Sequence, residues 1–308
     1  MHAGLIGRSI DYSWSPVMHA AAFAATGIAA RYELWNTEPA DLASRIDGLR
    51  GPEILGANVT IPYKAEVLSW LDSASREVDL ALGAVNTIVR EESEAGVKLI
   101  GYNTDVLALR RILGEEPVRG EGGRVLVVGT GGAARAALAA ALDVGLEPWI
   151  ASRRPIAGHE LLKSFFDRET TPHQSRTVGA PGDSWISRVQ EHVVDLGDTT
   201  TLGDVLTKTS VVLQSTPVGT GSLVDAPFPV QLVKQLPPNA FVFDMVYNPP
   251  VTALVREALA CGLRAYGGLH MLLYQGALAF SLWTGIPAPM DEMRAALEEQ
   301  AAWPPAPH

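Results

Sequence analysis

A single cysteine, Cys261, occurs in 308 residues. That excludes an intramolecular disulfide, gives no support for a cysteine-rich metal site, and fits a reducing cytoplasm. No uninterrupted apolar run reaches membrane-spanning length. The opening Met1-His2-Ala3-Gly4-Leu5-Ile6-Gly7 has no basic region leading into a signal-length apolar run. A soluble cytoplasmic protein is therefore expected. Positive charge is scarce: 24 Lys and Arg against 34 Asp and Glu leave a formal charge of −10. Nucleic-acid binding needs a basic face, so that partner class is disfavoured, although a local basic spot can still hold one phosphate. The seven histidines are scattered without metal-ligand spacing, and no metal is expected. No internal repeat has a solenoid-like period.

What is present suits a globular enzyme: 47% hydrophobic and 19% charged residues over a length that exceeds one comfortable core, so two domains are expected. The first hundred residues alternate strand-like and helix-like pieces. Leu5-Ile6, Tyr32 to Trp35 and Ile54 to Thr60 suit strands. A helix is expected from about 16 to 26, with Ser15 as cap, Pro16 at the first helical position and Gly27 as terminator. Further helices are expected over Pro39 to Leu49 and from Lys64 to Trp70. Ala84 to Val89 and Lys98 to Ile100 suit a strand pair around an acidic turn, Glu91 to Gly96. This alternation implies an α/β layer with parallel strands. After the Gly- and charge-rich loop Gly114 to Gly123 comes a second unit. It has a strand, a Gly-rich turn, an Ala-rich helix (Ala133 to Leu142) and a strand (Pro148 to Ser152). Short strands at Val211 to Gln214 and Phe241 to Met245 follow, and two helices close the chain, Met271 to Trp283 and Met290 to Gln300. The tail from Pro304 to His308 is expected to fray. The polar stretch from Asp167 to Leu202 has no clear periodicity.

Two segments carry chemistry on their own. Val125-Leu126-Val127-Val128-Gly129-Thr130-Gly131-Gly132-Ala133-Ala134 is a strand, a G-x-G-x-x-A turn and a helix start. Glycines there admit a pyrophosphate to the backbone, and the helix N-terminus supplies unpaired N–H groups. A tight turn alone is the structural alternative. A cofactor with a free ribose 2′-hydroxyl usually meets an acid roughly 20 residues further on. Here that stretch offers Ser152, Arg153 and Arg154, with no acid before Glu160. A hydroxyl and two guanidinium forks suit a 2′-phosphate, which favours NADP; an exposed basic turn is the alternative. The second segment, Gly56-Ala57-Asn58-Val59-Thr60-Ile61-Pro62-Tyr63-Lys64, sets an amide, a hydroxyl and an amine at a strand end. If it is extended, Asn58 and Thr60 share a face, and such convergence suits a polyhydroxylated small molecule. An edge strand with a solvated lysine is the alternative.

Several further motifs occur in order. Ser13-Trp14-Ser15-Pro16 resembles an S-x-S-P loop, and Asn58 to Lys64 an N-V-T-x-P-x-K strand. Gly83-Ala84-Val85-Asn86-Thr87 and Gly101-Tyr102-Asn103-Thr104-Asp105 match G-A-V-N-T and G-x-N-T-D. Asp244-Met245-Val246-Tyr247 and Gly267-Gly268-Leu269-His270-Met271-Leu272-Leu273-Tyr274-Gln275-Gly276 complete the set. Together, from about residue 4 to 286, the chain resembles the shikimate dehydrogenase family, including its quinate/shikimate relatives.

The resemblance implies an α/β fold of two domains with the active-site cleft between them. A discontinuous shikimate-binding domain would span 1–106 plus 269–308, and a Rossmann-type NADP-binding domain 107–268. It implies NADPH-dependent reversible reduction of 3-dehydroshikimate to shikimate, a step of the shikimate pathway of aromatic amino-acid biosynthesis, by a monomer or homodimer. Lys64 and Asp105 would be the catalytic pair. Ser13, Ser15, Asn58, Thr60, Asn86, Asp105 and Gln275 would bind the carboxylate and ring hydroxyls, with Tyr247 near the substrate. Met245, Gly268 and the Thr216-Pro217-Val218 loop would border the nicotinamide and cofactor channel.

The chemistry agrees. Hydride leaves a secondary alcohol carbon only as the hydroxyl proton is removed, and a lysine amine beside a carboxylate can hold and shuttle that proton. Structural alternatives are an ion pair for Lys64 and Asp105, helix capping for Ser13 and Ser15, and core or cap roles for Tyr247 and Gln275. Some positions depart from the family pattern: Tyr12 where His is common, Ser152 and Arg154 where Asn and Thr commonly flank Arg153, and Ala108 where Gly is frequent. A serine hydrolase is disfavoured because no nucleophile-elbow motif surrounds Ser13 or Ser15. The other readings are an NAD-using quinate/shikimate dehydrogenase and a non-catalytic paralogue that senses shikimate or quinate.

Overall fold

The computed structural model describes residues 1–116, 123–169, 191–221 and 225–301. The terminal tail, most of the 114–123 loop and much of the aperiodic 167–202 stretch lie outside those residues. In chain order the described strands are β1 (His2–Gly7), β2 (Arg31–Asn36), β3 (Ile54–Val59), β4 (Ser73–Ala74), β5 (Thr87–Ser93), β6 (Gly96–Tyr102), β7 (Arg124–Val128), β8 (Glu147–Ser152), β9 (Val193–Asp195), β10 (Thr209–Gln214), β11 (Phe241–Asp244) and β12 (Arg264–Tyr266). The helices are α1 (Ser15–Thr26), α2 (Leu42–Gly48), α3 (Arg76–Leu80), α4 (Thr104–Glu115), α5 (Gly132–Asp143), α6 (Pro155–Glu169), α7 (Thr199–Leu206), α8 (Ala253–Ala260), α9 (Leu269–Thr284) and α10 (Met290–Ala301). The chain divides into two compact units, one of Met1–Ile112, Tyr247–Pro250 and Gly268–His308, the other of Leu113–Val246 and Val251–Gly267.

The first unit is built on a six-stranded sheet of order β2-β1-β3-β5-β6-β4. The expectation of parallel strands holds only for part of it. β1 pairs parallel with β2 and β3, but β5 runs antiparallel to β3 and to β6. The β5–β6 hairpin explains the reversal, since adjacent strands joined by a tight turn must be antiparallel. It is also longer than its sequence suggests, because Glu91 to Ser93 continue the strand and Gly96, at φ +110°, makes the turn. Lys64 to Trp70 forms only a short 3-10 turn, Glu66–Trp70. Ile6, Leu42, Ile46, Ala57, Val59, Val67, Val85, Ile88 and Leu99 make one buried cluster.

The carboxy-terminal α9 returns to this sheet. Its Trp283 Nε1 donates to the Ile88 carbonyl at 3.0 Å. A Cβ on Gly56 would lie 2.3 Å from that nitrogen, so β3 must carry glycine where the indole crosses it.

The second unit is a parallel six-stranded sheet of order β12-β11-β10-β7-β8-β9. The order departs in both directions from its first strand, β7, which is the doubly wound arrangement with a switch point between β7 and β10. Val125 to Val128 are all buried, as expected of a strand covered on both faces. Among the described residues no helix is long and apolar enough to cross a membrane, and no group of His, Cys, Asp and Glu could hold a metal ion.

Candidate active site

In the first unit the chain holds Lys64 from both sides. Tyr63 is buried and donates its hydroxyl to the Thr37 carbonyl at 2.7 Å, and the Lys64 carbonyl accepts from Val85 N–H at 2.6 Å. The lysine side chain reaches Asp105, with Nζ 2.5 Å from Oδ2; the two side chains are 16% and 5% exposed. Asp105 stands in the first turn of α4, where the helix N-terminus favours an anionic group. Asn103 fixes that turn: its Oδ1 accepts from Val106 N–H at 3.1 Å, the reach of an N-cap, and its amide donates to the Ala84 carbonyl at 2.7 Å. Asn103 was not singled out in the sequence, although an Asn before Thr-Asp and an apolar run is a capping signal.

Each of the other candidate substrate residues is held by its own local hydrogen bonds. The Ser13 hydroxyl donates to Ser15 Oγ at 3.2 Å and accepts from Ser15 N–H at 3.3 Å. Ser15 is therefore not the cap of α1; it lies inside the first turn, Trp14 occupies the cap position, and no side chain caps it. Pro16 and the left-handed Gly27 do bound the helix as the sequence implies. Tyr247 lies against Trp14, ring centroids 5.7 Å apart, and burial pushes its phenol up to about 12. Burial drives the titration of the Tyr32 phenol far upward. Tyr32 donates to Asn58 Oδ1 at 2.8 Å.

Asn58 and Asn86 are almost wholly buried, at 4% and 2% exposure. Asn86 Oδ1 accepts from Thr104 N–H at 2.7 Å and its amide donates to Thr104 Oγ1 at 2.9 Å, so it braces the residue next to Asp105. Thr60 follows the end of β3, half-buried, with its N–H on the Ile6 carbonyl at 2.9 Å. Gln275, on α9, donates to the Leu272 carbonyl at 2.9 Å, one turn back in its own helix. Tyr12 is exposed beside the serine loop, and Ala108 is buried within α4.

In the second unit the glycine turn lies at the switch point. Gly129 has φ +117°, and a Cβ there would come 2.8 Å from Ser215 Oγ, so the turn after β7 lies against the loop after β10. Gly131 takes the cap position of α5 with no side-chain cap, followed by Gly132 and Ala133, and a Cβ on Gly131 would meet nothing within 4 Å. Open N–H groups at a helix start with free space before them fit a pyrophosphate.

Ser152, buried at the end of β8, accepts from Arg154 N–H at 3.0 Å and so shapes the turn that exposes Arg153 and Arg154. The residues present thus fit NADP. Strand register also sets Asp195, absent from any local reading, beside Ser152; one carboxylate oxygen is engaged by Gly197 N–H at 2.8 Å.

The Thr216-Pro217-Val218 loop is organised by Gln214, which the sequence reading passed over. Fully buried, it accepts from Thr216 N–H at 2.7 Å and donates to the Thr216 and Val218 carbonyls at 3.0 Å each. Met245 N–H bonds to the Gln214 carbonyl at 2.9 Å, and Gly268 is the buried cap residue of α9. Asp244, buried at the end of β11, accepts from Val246 N–H at 3.0 Å and the Thr252 hydroxyl at 2.7 Å; burial raises its carboxyl to about 7.

Comparison with known proteins supplies an independent line. Residues 5–88 match the profile described as the shikimate dehydrogenase substrate binding domain, and 268–298 that of the shikimate 5'-dehydrogenase C-terminal domain. The chain is 35% identical over 303 residues to the shikimate dehydrogenase (NADP(+)) of Desulforamulus reducens, covering 97% of this chain and 95% of that one. It is 36% identical over 298 residues to the protein of that name from Geobacter sulfurreducens, covering 96% and 94%. A crystal structure of shikimate 5-dehydrogenase from Thermus thermophilus, in complex with NADP(H) and shikimate, superposes with a TM-score of 0.77 at 31% identity, covering 97% of this chain and 99% of that one.

Proposed function

The chain belongs to the shikimate dehydrogenase family, and from that premise we propose that it is an NADP-dependent shikimate dehydrogenase of the shikimate pathway, acting in the cytoplasm. It interconverts 3-dehydroshikimate and shikimate: ketone, NADPH and a proton give secondary alcohol and NADP+. The observation that carries this reading is the Lys64–Asp105 pair, an amine and a carboxylate 2.5 Å apart and mostly withdrawn from water.

NADPH, when bound, supplies the hydride to the ring carbon, and NADP+ accepts it in the reverse direction. The protein handles the proton. In reduction, Lys64 Nζ gives a proton to the ring oxygen as it gains charge; in oxidation it takes the hydroxyl proton back. Asp105 holds the amine in one position, and Asn103 and Asn86 hold Asp105 through the start of α4. Ser13, Ser15, Thr60 and Gln275, with Tyr247 near them, are assigned to the carboxylate and ring hydroxyls, together with Asn58, Asn86 and Asp105. In the second unit Gly129, Thr130, Gly131, Gly132 and Ala133 are assigned to the pyrophosphate and Ser152, Arg153 and Arg154 to the 2′-phosphate. Met245 and the Thr216-Pro217-Val218 loop are assigned to the nicotinamide end.

The test is a steady-state matrix of shikimate and quinate against NADP+ and NAD+. Shikimate with NADP+ should give the highest kcat/KM. A highest value for quinate with NAD+ would move the chain to its quinate-oxidising relatives, and no turnover in any cell would leave only a binding role.

A further inference from the structure

Four buried side chains close a hydrogen-bond circuit next to Asp105: Asn58 on β3, Asn86 and Thr87 where β5 begins, and Thr104 at the start of α4. Two backbone groups fix which way the amides point. Asn58 Nδ2 lies 3.2 Å from the Asn86 main-chain carbonyl, which can only accept, so that edge of Asn58 is its NH2 group. Thr104 N–H, which can only donate, meets the Asn86 side chain at 2.7 Å, so that edge of Asn86 is Oδ1. The second Asn58 amide proton then goes to Thr87 Oγ1 at 3.1 Å. The Thr87 hydroxyl proton has two acceptors within reach, Asn86 Oδ1 at 3.1 Å and Thr104 Oγ1 at 3.2 Å. Thr104 Oγ1 accepts from Asn86 Nδ2 at 2.9 Å and gives its own proton to Asn86 Oδ1 at 3.2 Å or to Thr87. Whichever way the bond between the two hydroxyls runs, both threonine protons stay inside the circuit. Asn58 is left with no amide proton for a ligand, only the share of Oδ1 that Tyr32 does not take. Asn86 Nδ2 has Thr104 as its single partner among the described residues, which leaves one amide proton.

We propose that Thr87 is a positioning residue for substrate recognition. Its hydroxyl takes the last amide proton of Asn58 and ties that amide into the Asn86–Thr104 circuit, so that Asn58 meets the substrate as an acceptor and Asn86 as a donor. The inference rests on the shikimate dehydrogenase reading. Ring hydroxyls both donate and accept and so satisfy the two amides, whereas an ether oxygen only accepts. Without the Thr87 hydroxyl, one buried Asn58 proton has no partner and the NH2 group is held by the Asn86 carbonyl alone. The Thr104 bonds to Asn86 persist, so the start of α4 keeps Asp105 in place.

Thr87→Val tests this, because it keeps the branched shape and removes the hydroxyl. The shikimate KM should rise about tenfold, as for loss of one or two buried hydrogen bonds, with kcat within about threefold and the NADP+ KM unchanged. Thr87→Ser, which restores the hydroxyl without the methyl group, should bring the shikimate KM back to within about threefold of the unmodified value. A merely structural role would lower the melting temperature and the active fraction in both variants, which reduces apparent kcat and leaves KM alone. Thr87→Ala removes the same hydroxyl without setting a methyl group against the Asn58 amide, and carries the same expectation if the valine protein does not fold. In an Asn58→Ala background, Thr87→Val should raise KM by less than it does alone, since both act on one circuit. An unchanged KM in the folded valine or alanine variant, a serine variant as impaired as they are, or fully multiplicative effects would overturn the proposal. Shikimate turnover by the unmodified protein, measured alongside, separates the two levels. Turnover with an unaltered KM in the hydroxyl-free variants defeats only this inference, whereas absence of turnover defeats it together with the reading beneath it.

Discussion

Lys64 and Asp105 stand 41 residues apart in the sequence and meet at 2.5 Å. Neither residue is placed by its own neighbours alone. Lys64 is held through a buried tyrosine and a backbone bond to Val85, and Asp105 through a helix start that Asn103 caps and Asn86 braces. The pair is thus fixed by elements on either side of the sheet's central strands, which is what a proton-transfer group needs to act in one geometry.

The cofactor preference is expected to reside in the basic turn after β8. Replacing Arg153 and Arg154 together by neutral residues should lower kcat/KM for NADP+ by about tenfold or more, since each charged hydrogen bond is worth roughly 1.5–3 kcal/mol before solvent weakens it. NAD+ activity should stay nearly as it was. Initial-rate comparison of both cofactors checks this, and a parallel loss with NAD+ would show that the arginines serve the turn rather than the phosphate.

The buried Asp244 should make stability fall as pH rises. Its folded carboxyl titrates near 7 because of burial, against an unfolded value near ~3.9. A raised carboxyl contributes stability fully below the unfolded value and loses it as pH climbs through the folded one. The melting temperature of the unmodified protein, relative to Asp244→Asn, should therefore decline from about pH 4 to 7. A flat difference curve would show that Asp244 is ionised throughout.

His19 should act in the opposite sense. Burial lowers its imidazole to about 3, and neither ring nitrogen has a hydrogen-bond partner among the described residues. A depressed histidine contributes stability above its unfolded value of ~6.5 and loses it as pH falls toward the folded one. His19→Phe should blunt acid destabilisation between about pH 6.5 and 3, and urea denaturation along that range measures it. Equal acid sensitivity in both proteins would contradict the assignment.

The fold and site were legible where local chemistry is self-declaring. The glycine turn after β7, the Pro16–Gly27 bounds of α1 and the alternating strands and helices all follow from residue-level preferences. The motifs of the family resemblance named Lys64 and Asp105 without any knowledge of their distance.

What the sequence concealed depends on long-range partners. Tyr32 looks like an ordinary strand tyrosine until its hydroxyl reaches Asn58, 26 residues on. Gln214 ends a strand as any polar residue does, and only its burial shows that it shapes the loop after β10. Ser15 carries the signature of a helix cap, yet it lies inside the first turn and its hydroxyl and N–H both meet Ser13. The antiparallel half of the first sheet was hidden because alternation counts elements and not their directions.

The most direct measurement of the central claim is the kinetics of Lys64→Ala with shikimate and NADP+. If Lys64 moves the proton, kcat should fall by about 10²–10⁴-fold while the shikimate KM changes little, the pattern of an interaction made mainly in the transition state. The melting temperature should confirm a folded protein. Near-normal kcat in the folded variant would contradict the account and leave the Lys64–Asp105 pair as structure alone.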